Sequence, residues 1–310
     1  MMNHWQITMF GKLCVRRKGK VLPGLESQKT QELLCYLLLH GDRPHAREVL
    51  ASLLWDYCST AQSRVYLRRV LWQLHQALDD RALPEEQQLL WSQTDWIQVN
   101  PQADLQLDVI HFESAYKQVR GRGGHLLDSE QAQALQQAIV LYAGPLLENF
   151  YQDWCLLKRE RLQHIYLSML DKLMDYAEVH GQYEMGLAYG EQILHIDRAR
   201  EHTHRSIMKL YYLADNRTDA LRQYEQCVDV LKEELDVAPS QRTTVLYKQI
   251  CADRVPADPP AGTTSHVGLH DQLAHIMNLQ QTLTSVQSDI QREIKAIEHV
   301  LNGSLKDAHR

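Results

Sequence analysis

Residues 60–78 read TAQSRVYLRRVLWQLHQAL, and their spacing predicts one helix over the whole stretch. Leu67, Val70 or Leu71, Leu74 and Leu78 recur at helical intervals and form one apolar stripe. Arg64, Arg68, Trp72 and His75 fall on another face, with Tyr66, Arg69, Gln73 and Gln76 beside them. A planar guanidinium can donate twice to guanine or bridge phosphate oxygens, which is the chemistry a helix needs in a major groove. Side chains toward the N-terminal end of such a helix reach bases first. A solvated surface helix that happens to carry three arginines is the plainer alternative. The flanking elements weigh against it.

Upstream, residues 5–22 (WQITMFGKLCVRRKGKVL) alternate in short runs, with Gly11 and Lys18-Gly19-Lys20 as turns, and read as two or three short strands. From Ser27 the period changes. Leu33, Leu34, Leu37 and Leu38 recur at helical spacing until His40-Gly41-Asp42 ends the run. A second helix is expected from about Ala46 to Leu54, with Val49, Leu50, Leu53 and Leu54 inward. Downstream, Leu89 to Val99 (LLWSQTDWIQV) reads as a hairpin that turns at Thr94-Asp95. Strands, three helices, then a hairpin is the order of a winged helix preceded by a small sheet.

A chain of 310 residues suggests two compact domains with something left over. Its 44% hydrophobic and 23% charged residues are an ordinary globular balance, which argues against disorder. Three phenylalanines against fourteen tyrosines and many leucines favour helices over a β-sandwich. The longest apolar stretch, near Leu33 to Leu39, is far too short for a bilayer span, and the N-terminus has no basic-then-apolar pattern. Six scattered cysteines without C-x-x-C suit reduced thiols, mostly small core residues, so a cytoplasmic address is expected. Net charge is −6, but residues 1–75 hold eleven Lys/Arg against five Asp/Glu, a net +6, which leaves −12 for the rest. A basic front and an acidic back fit a protein that meets phosphate with one end. Charge scatter is the bland alternative, because Asp79, Asp80, Glu85 and Glu86 follow soon after.

From about Leu105 to Ile250 the pattern is helical throughout, punctuated at Gly121 to Gly124, Gly144-Pro145, Gly181 and Asn216. The segment YAEVHGQYEMGLAYGEQIL from Tyr176 echoes YYLADNRTDALRQYEQCVD from Tyr211, with Gly181 aligned to Asn216, Tyr183 to Thr218 and Tyr189 to Tyr224. That period of 35 is close to that of tetratricopeptide helix pairs, which stack to leave a curved groove for a partner. A generic helical bundle is the alternative. Residues 253–266 (DRVPADPPAGTTSH) read as a linker. Beyond it Leu269, Leu273, Ile276, Gln280, Leu283, Gln287, Ile290, Ile294, Ile297 and Leu301 alternate in steps of 4 and 3, the heptad signature. With Leu273, Gln280, Gln287, Ile294 and Leu301 at a, the isoleucine-rich d positions lean toward three or four strands. A helix folding back onto the chain's own body competes with self-association.

Over residues 5–250 the chain resembles the Streptomyces antibiotic regulatory protein family, an OmpR-like winged helix fused to a bacterial transcriptional activation domain of tetratricopeptide type. The resemblance rests on WQITMFGKLCV, QKTQELLCYLLLHGDRPHAREVLASLLW and SRVYLRRVLWQLHQAL, then LDVIHFESAY, LYAGPLLENFYQDW and KRERLQ. It closes on HIDRAREHTHRSIMKLYYLADNRTDALRQYEQCVDVLKEELDVAPS. It implies binding to direct repeats in double-stranded promoter DNA and recruitment of RNA polymerase, partly through its sigma factor. It places Arg64, Arg68 and Arg69 on a recognition helix, where Tyr66 beside them joins the expected DNA contacts, and Thr94, Asp95 and Trp96 at a wing tip. Two departures stand out. Gln73, His75 and Gln76 replace the family's closing arginine-rich run, and Asp95 sits where its wing tip is glycine-rich and often basic.

The resulting expectation is a mainly α chain. Residues 1–104 form an OmpR-like winged helix with a small sheet and wing hairpin, and 105–252 a tetratricopeptide-like activation domain. A linker at 253–266 leads to a coiled-coil oligomerisation helix at 267–303. The expected partners are promoter DNA, RNA polymerase, further copies of the chain, and a regulatory protein in the helical groove. The other reading is a helical-repeat adaptor that has lost strong DNA binding. No cofactor, metal or catalytic role is expected. His202 and His204, at i and i+2, point to different helix faces, Met169, Met174, Met185 and Met208 read as core, and no G-x-S-x-G, Rossmann glycine set or P-loop occurs.

Overall fold

The structure is a computed structural model and describes residues 4–78, 84 and 87–254. The heptad residues from Leu269 to Leu301, and all of the linker beyond Arg254, lie outside the described residues. The front strands are β1 (Trp5–Thr8), β2 (Cys14–Arg17) and β3 (Lys20–Val21), joined antiparallel in that order. Lys18 and Gly19 both have positive φ, as a two-residue hairpin turn requires. Trp5 and Ile7 are buried while Gln6 and Thr8 are not, the alternation of a sheet with one face on a core.

Residues 105–107 correct the expectation of helix from Leu105 onward. Leu105–Leu107 is a strand, β7, paired parallel to β1, so the sheet order is β3-β2-β1-β7. Three residues are too few to display a period, and the strand's partner lies a hundred positions away.

Three helices follow the front strands: α1 (Gln28–Leu39), α2 (Arg47–Leu54) and α3 (Thr60–Leu78). Helix α1 is buried nearly all round, Glu32 included, because it lies at the centre of the first core. Lys29 keeps Glu32 company at 2.9 Å, donates to the Leu54 carbonyl at 2.7 Å, and sits over the Trp55 ring. Burial still pushes the Glu32 carboxyl up, with Lys29 opposing. On α2 only Leu50, Ala51 and Leu54 are buried; Val49 and Leu53, expected inward, are exposed. A two-turn helix has room for one inward stripe, and i, i+4 neighbours outside it share the opposite side. On α3 the stripe of Leu67, Val70, Leu71, Leu74 and Leu78 is buried, and so is His75, which was expected on the outward face. His75 follows Leu67 and Leu71 at successive steps of four, which places it in the inward row.

The hairpin pairs β5 (Leu90–Ser92) with β6 (Trp96–Val99), and Gln93 donates to the Trp96 carbonyl at 2.9 Å across the Thr94-Asp95 tip. A short strand β4 (His45–Ala46) pairs with β6, which fixes the start of α2 against the wing.

The remaining helices are α4 (Asp108–Val119), α5 (Ser129–Leu141), α6 (Asp153–Val179), α7 (Tyr183–Ile196), α8 (Glu201–Leu213), α9 (Arg217–Leu235) and α10 (Gln241–Cys251). Asp128 and Gln131 close a capping box at the start of α5. The pairs α6/α7 and α8/α9 repeat, but in a register of 34 rather than 35. Gly181 and Asp215 hold the equivalent positive φ, and Gln182 and Asn216 make equivalent 2.8 Å bonds to the carbonyls of Ala177 and Tyr211. Buried Gly186, Tyr189 and Ile193 correspond to buried Ala220, Gln223 and Cys227. Matching identical tyrosines misled the sequence alignment by one, because burial, not identity, sets the register. Among the methionines, Met169, Met174 and Met208 are core, while Met185 is exposed.

The two halves share a core that runs from Trp5 to Leu210. Asp108 is 6% exposed, and it ties the sheet to α4. Its Oδ2 accepts from the Met9 and Phe10 amides at 2.7 and 3.0 Å, and its Oδ1 from Val109 at 2.8 Å. Residues 9–11 also bond the 145–148 segment through the Met9, Gly11 and Pro145 carbonyls. Phe10, Phe112, Tyr142 and Tyr166 form a chain of ring contacts across the join. Among the described residues no helix is long and apolar enough to cross a membrane.

Candidate nucleic-acid interface

The buried stripe of α3 leaves Arg64, Tyr66, Arg68 and Arg69 exposed around the rest of the helix, with Trp72 further along. Arg17 donates to the carbonyl of Leu78 at 3.2 Å, and Thr30 donates to Gln73 at 3.3 Å, so the C-terminal half of α3 is held against the sheet and α1.

Arg64, Arg68 and Thr94 come together around one cavity of about 520 Å³, with Ala46, Arg47, Glu48, Leu67 and Asp95 completing its wall. It lies where the start of α2, the first half of α3 and the wing tip converge. A second cavity, of about 310 Å³, adjoins it between α3 and the wing strands, and Arg47, Arg68, Trp72, His75 and Ser92 are among its lining. Three of the expected residues stand apart from both cavities. Tyr66 packs its ring 6.0 Å from Trp55, Arg69 is exposed elsewhere on the helix, and Trp96 sits half-buried opposite Ala46.

Arg47 is the residue that sequence reasoning missed. It opens α2, its amide donates to the Asp95 carbonyl at 2.9 Å, and its guanidinium donates to Ser92 Oγ at 2.8 Å. Burial lowers its pKa and so does Arg68, while Asp95 opposes the fall. A signal did exist: a cation in the first turn of a helix opposes the helix dipole, so its presence there asks for another reason.

Arg64 is ion-paired with Glu48 across α2 and α3, and the two side chains are 53% and 70% exposed. An exposed pair of this kind is worth about 0–1 kcal/mol, so opening it for a ligand that does not repel Glu48 costs little. The cavity thus gathers three guanidinium groups, a wing hydroxyl and two carboxylates. It can hold a phosphate or a base edge, at the cost of rearranging the acids.

A separate groove of about 810 Å³ lies in the helical part, lined by Tyr142, Pro145, Gln163, Tyr166, Glu191, Gln192 and His195 among others. His204 is buried, with Nε2 at 2.8 Å from the Arg198 carbonyl and Nδ1 accepting from Gln223 at 2.7 Å, and burial lowers its pKa. No group of His, Cys, Asp or Glu fit for a metal ion occurs among the described residues.

Residues 107–251 match the bacterial transcriptional activator domain family. The transcriptional regulatory protein MoaR1 of Mycobacterium tuberculosis is 24% identical over 252 residues, which cover 79% of this chain and 78% of that protein. Its counterpart in Mycobacterium bovis is 23% identical over 246 residues, with the same coverage. Among solved structures, Mycobacterium tuberculosis EmbR, in complex with a low-affinity phosphopeptide, shares the fold with a TM-score of 0.59. It is 17% identical, and the match covers 83% of this chain and 67% of EmbR.

Proposed function

We propose that this chain, whose residues 107–251 match the bacterial transcriptional activator domain family, is a transcription regulator of the Streptomyces antibiotic regulatory protein type, and that it binds double-stranded promoter DNA through α3 and the wing. Arg64 and Arg68 contact base edges and phosphates, with Arg69, Tyr66, Thr94 and Trp96 at the flanks. The helical part recruits RNA polymerase through its sigma factor, and its groove receives a further regulatory protein. The observation that carries this reading is the gathering of Arg47, Arg64 and Arg68 on one cavity between the third helix and the wing tip.

The test is binding to random-sequence duplex across a salt series. With Arg64 engaged by Glu48, the other two guanidinium groups of the cavity, Arg47 and Arg68, give a log–log slope of about −1.8 per protomer, at about −0.9 per contact. Affinity indifferent to salt would end the DNA reading. That outcome would favour a helical-repeat adaptor, a reading supported by Asp95 at the wing tip and Glu48 on Arg64.

Self-association belongs to the same proposal. The heptads between Leu269 and Leu301 join protomers, so that linked winged helices gain avidity on repeated sites. Removing residues 254–310 is expected to reduce the mass measured by light scattering to that of one chain. An unchanged mass would remove the coiled coil from the account.

A further inference from the structure

We propose that Glu48 is a specificity-determining residue that holds Arg64 away from the phosphates of arbitrary sequence; the inference rests on the DNA-binding reading above. Glu48 stands in the first turn of α2, where the helix dipole favours a carboxylate, and from there it engages the Arg64 guanidinium on α3. The cavity they share also carries Arg47, Arg68 and Asp95, and its formal charges nearly cancel: three cations face two anions.

A backbone phosphate arriving here competes with a carboxylate for the same guanidinium fork. Exchanging one anion for the other gains little, and it leaves Glu48 uncompensated beside a phosphate. On random DNA, Arg64 therefore stays on Glu48, and the complex forgoes one phosphate contact. A guanine edge is different. It offers two acceptors without a full charge, so Arg64 can turn to it with less repulsion of the glutamate. Glu48 thus subtracts one contact from sequence-independent binding and leaves base readout available.

The experiment measures binding of the full-length chain to a random-sequence duplex across a salt series, for the wild type, Glu48→Gln, Arg64→Ala and the double variant. Glutamine keeps the side-chain length at an exposed position, and a thermal melt checks the fold. Glu48→Gln is expected to bind about tenfold more tightly at low salt, with a slope steeper by about 0.9, one added phosphate contact. In the Arg64→Ala background most of that gain disappears. Unchanged or weaker binding by Glu48→Gln, while the wild type shows a clear salt slope, overturns this inference alone. So does a gain that persists in full without Arg64, which would make Glu48 a source of general repulsion. No salt-dependent binding by any variant overturns the DNA-binding reading itself.

Discussion

Replacing Arg64 and Arg68 together by alanine is expected to weaken promoter binding by about 100-fold or more while the fold persists. A good bidentate contact to a base contributes about 1–3 kcal/mol of discrimination. Two such contacts at the low to middle of that range reach about 3 kcal/mol, and each 1.4 kcal/mol is a factor of about ten. Both side chains are exposed on α3, and the native contacts given up are an exposed pair with Glu48 and a bond from Arg68 to the Arg64 carbonyl. Exposed pairs contribute about 0–1 kcal/mol, so the melting temperature should move little. A gel shift at moderate salt, read beside a thermal melt, separates the two quantities. Unchanged affinity would remove α3 from the interface, whatever the rest of the chain does.

The second large effect concerns stability. Asp108→Ala is expected to cost about 3 kcal/mol, because it removes the acceptor of three buried backbone amides, those of Met9, Phe10 and Val109. The loss is smaller than three separate penalties would give. Burial disfavours the charged carboxylate and raises its pKa, so removing it returns part of the cost. The same carboxylate joins the end of β1 to the start of α4, so the sheet and the helical part should loosen together. For a unit of this size the expected fall in Tm is roughly 6–12 °C. Denaturant unfolding monitored by tryptophan fluorescence measures it. A loss below about 0.5 kcal/mol would mean that water or a backbone shift satisfies those amides.

Helix α3 was legible from sequence to its end residues, since its apolar stripe is long and strictly periodic. The hairpin tip at Thr94-Asp95, the strand turn at Lys18-Gly19 and the repeated helix pairs were legible for the same kind of reason: each is a local pattern with a steric or periodic cause. At the candidate site, Arg64 and Arg68 could be named in advance, because cations on the polar face of an amphipathic helix stand out, while Thr94 followed only from the family resemblance.

What stayed hidden depended on distant partners. Strand β7 exists because β1 offers an open edge to three residues that carry no period of their own. Val49 took the side opposite to the expected one because a two-turn helix fixes its inward direction by what packs on it, and His75 turned inward because it continues the row of Leu67 and Leu71 on α3. Arg47 joined the cavity because β4 pairs with β6 and brings the start of α2 to the wing. Asp108 gained its role only when residues 9 and 10 came within hydrogen-bond reach. The sequence by itself determined the elements, their order and the chemistry on one face of α3, because period and turn geometry act between near neighbours. Tertiary structure decided which of those groups share a cavity, which acids oppose the arginines, and how the halves join. Those are contacts between residues far apart in the chain, and no local pattern encodes their distance.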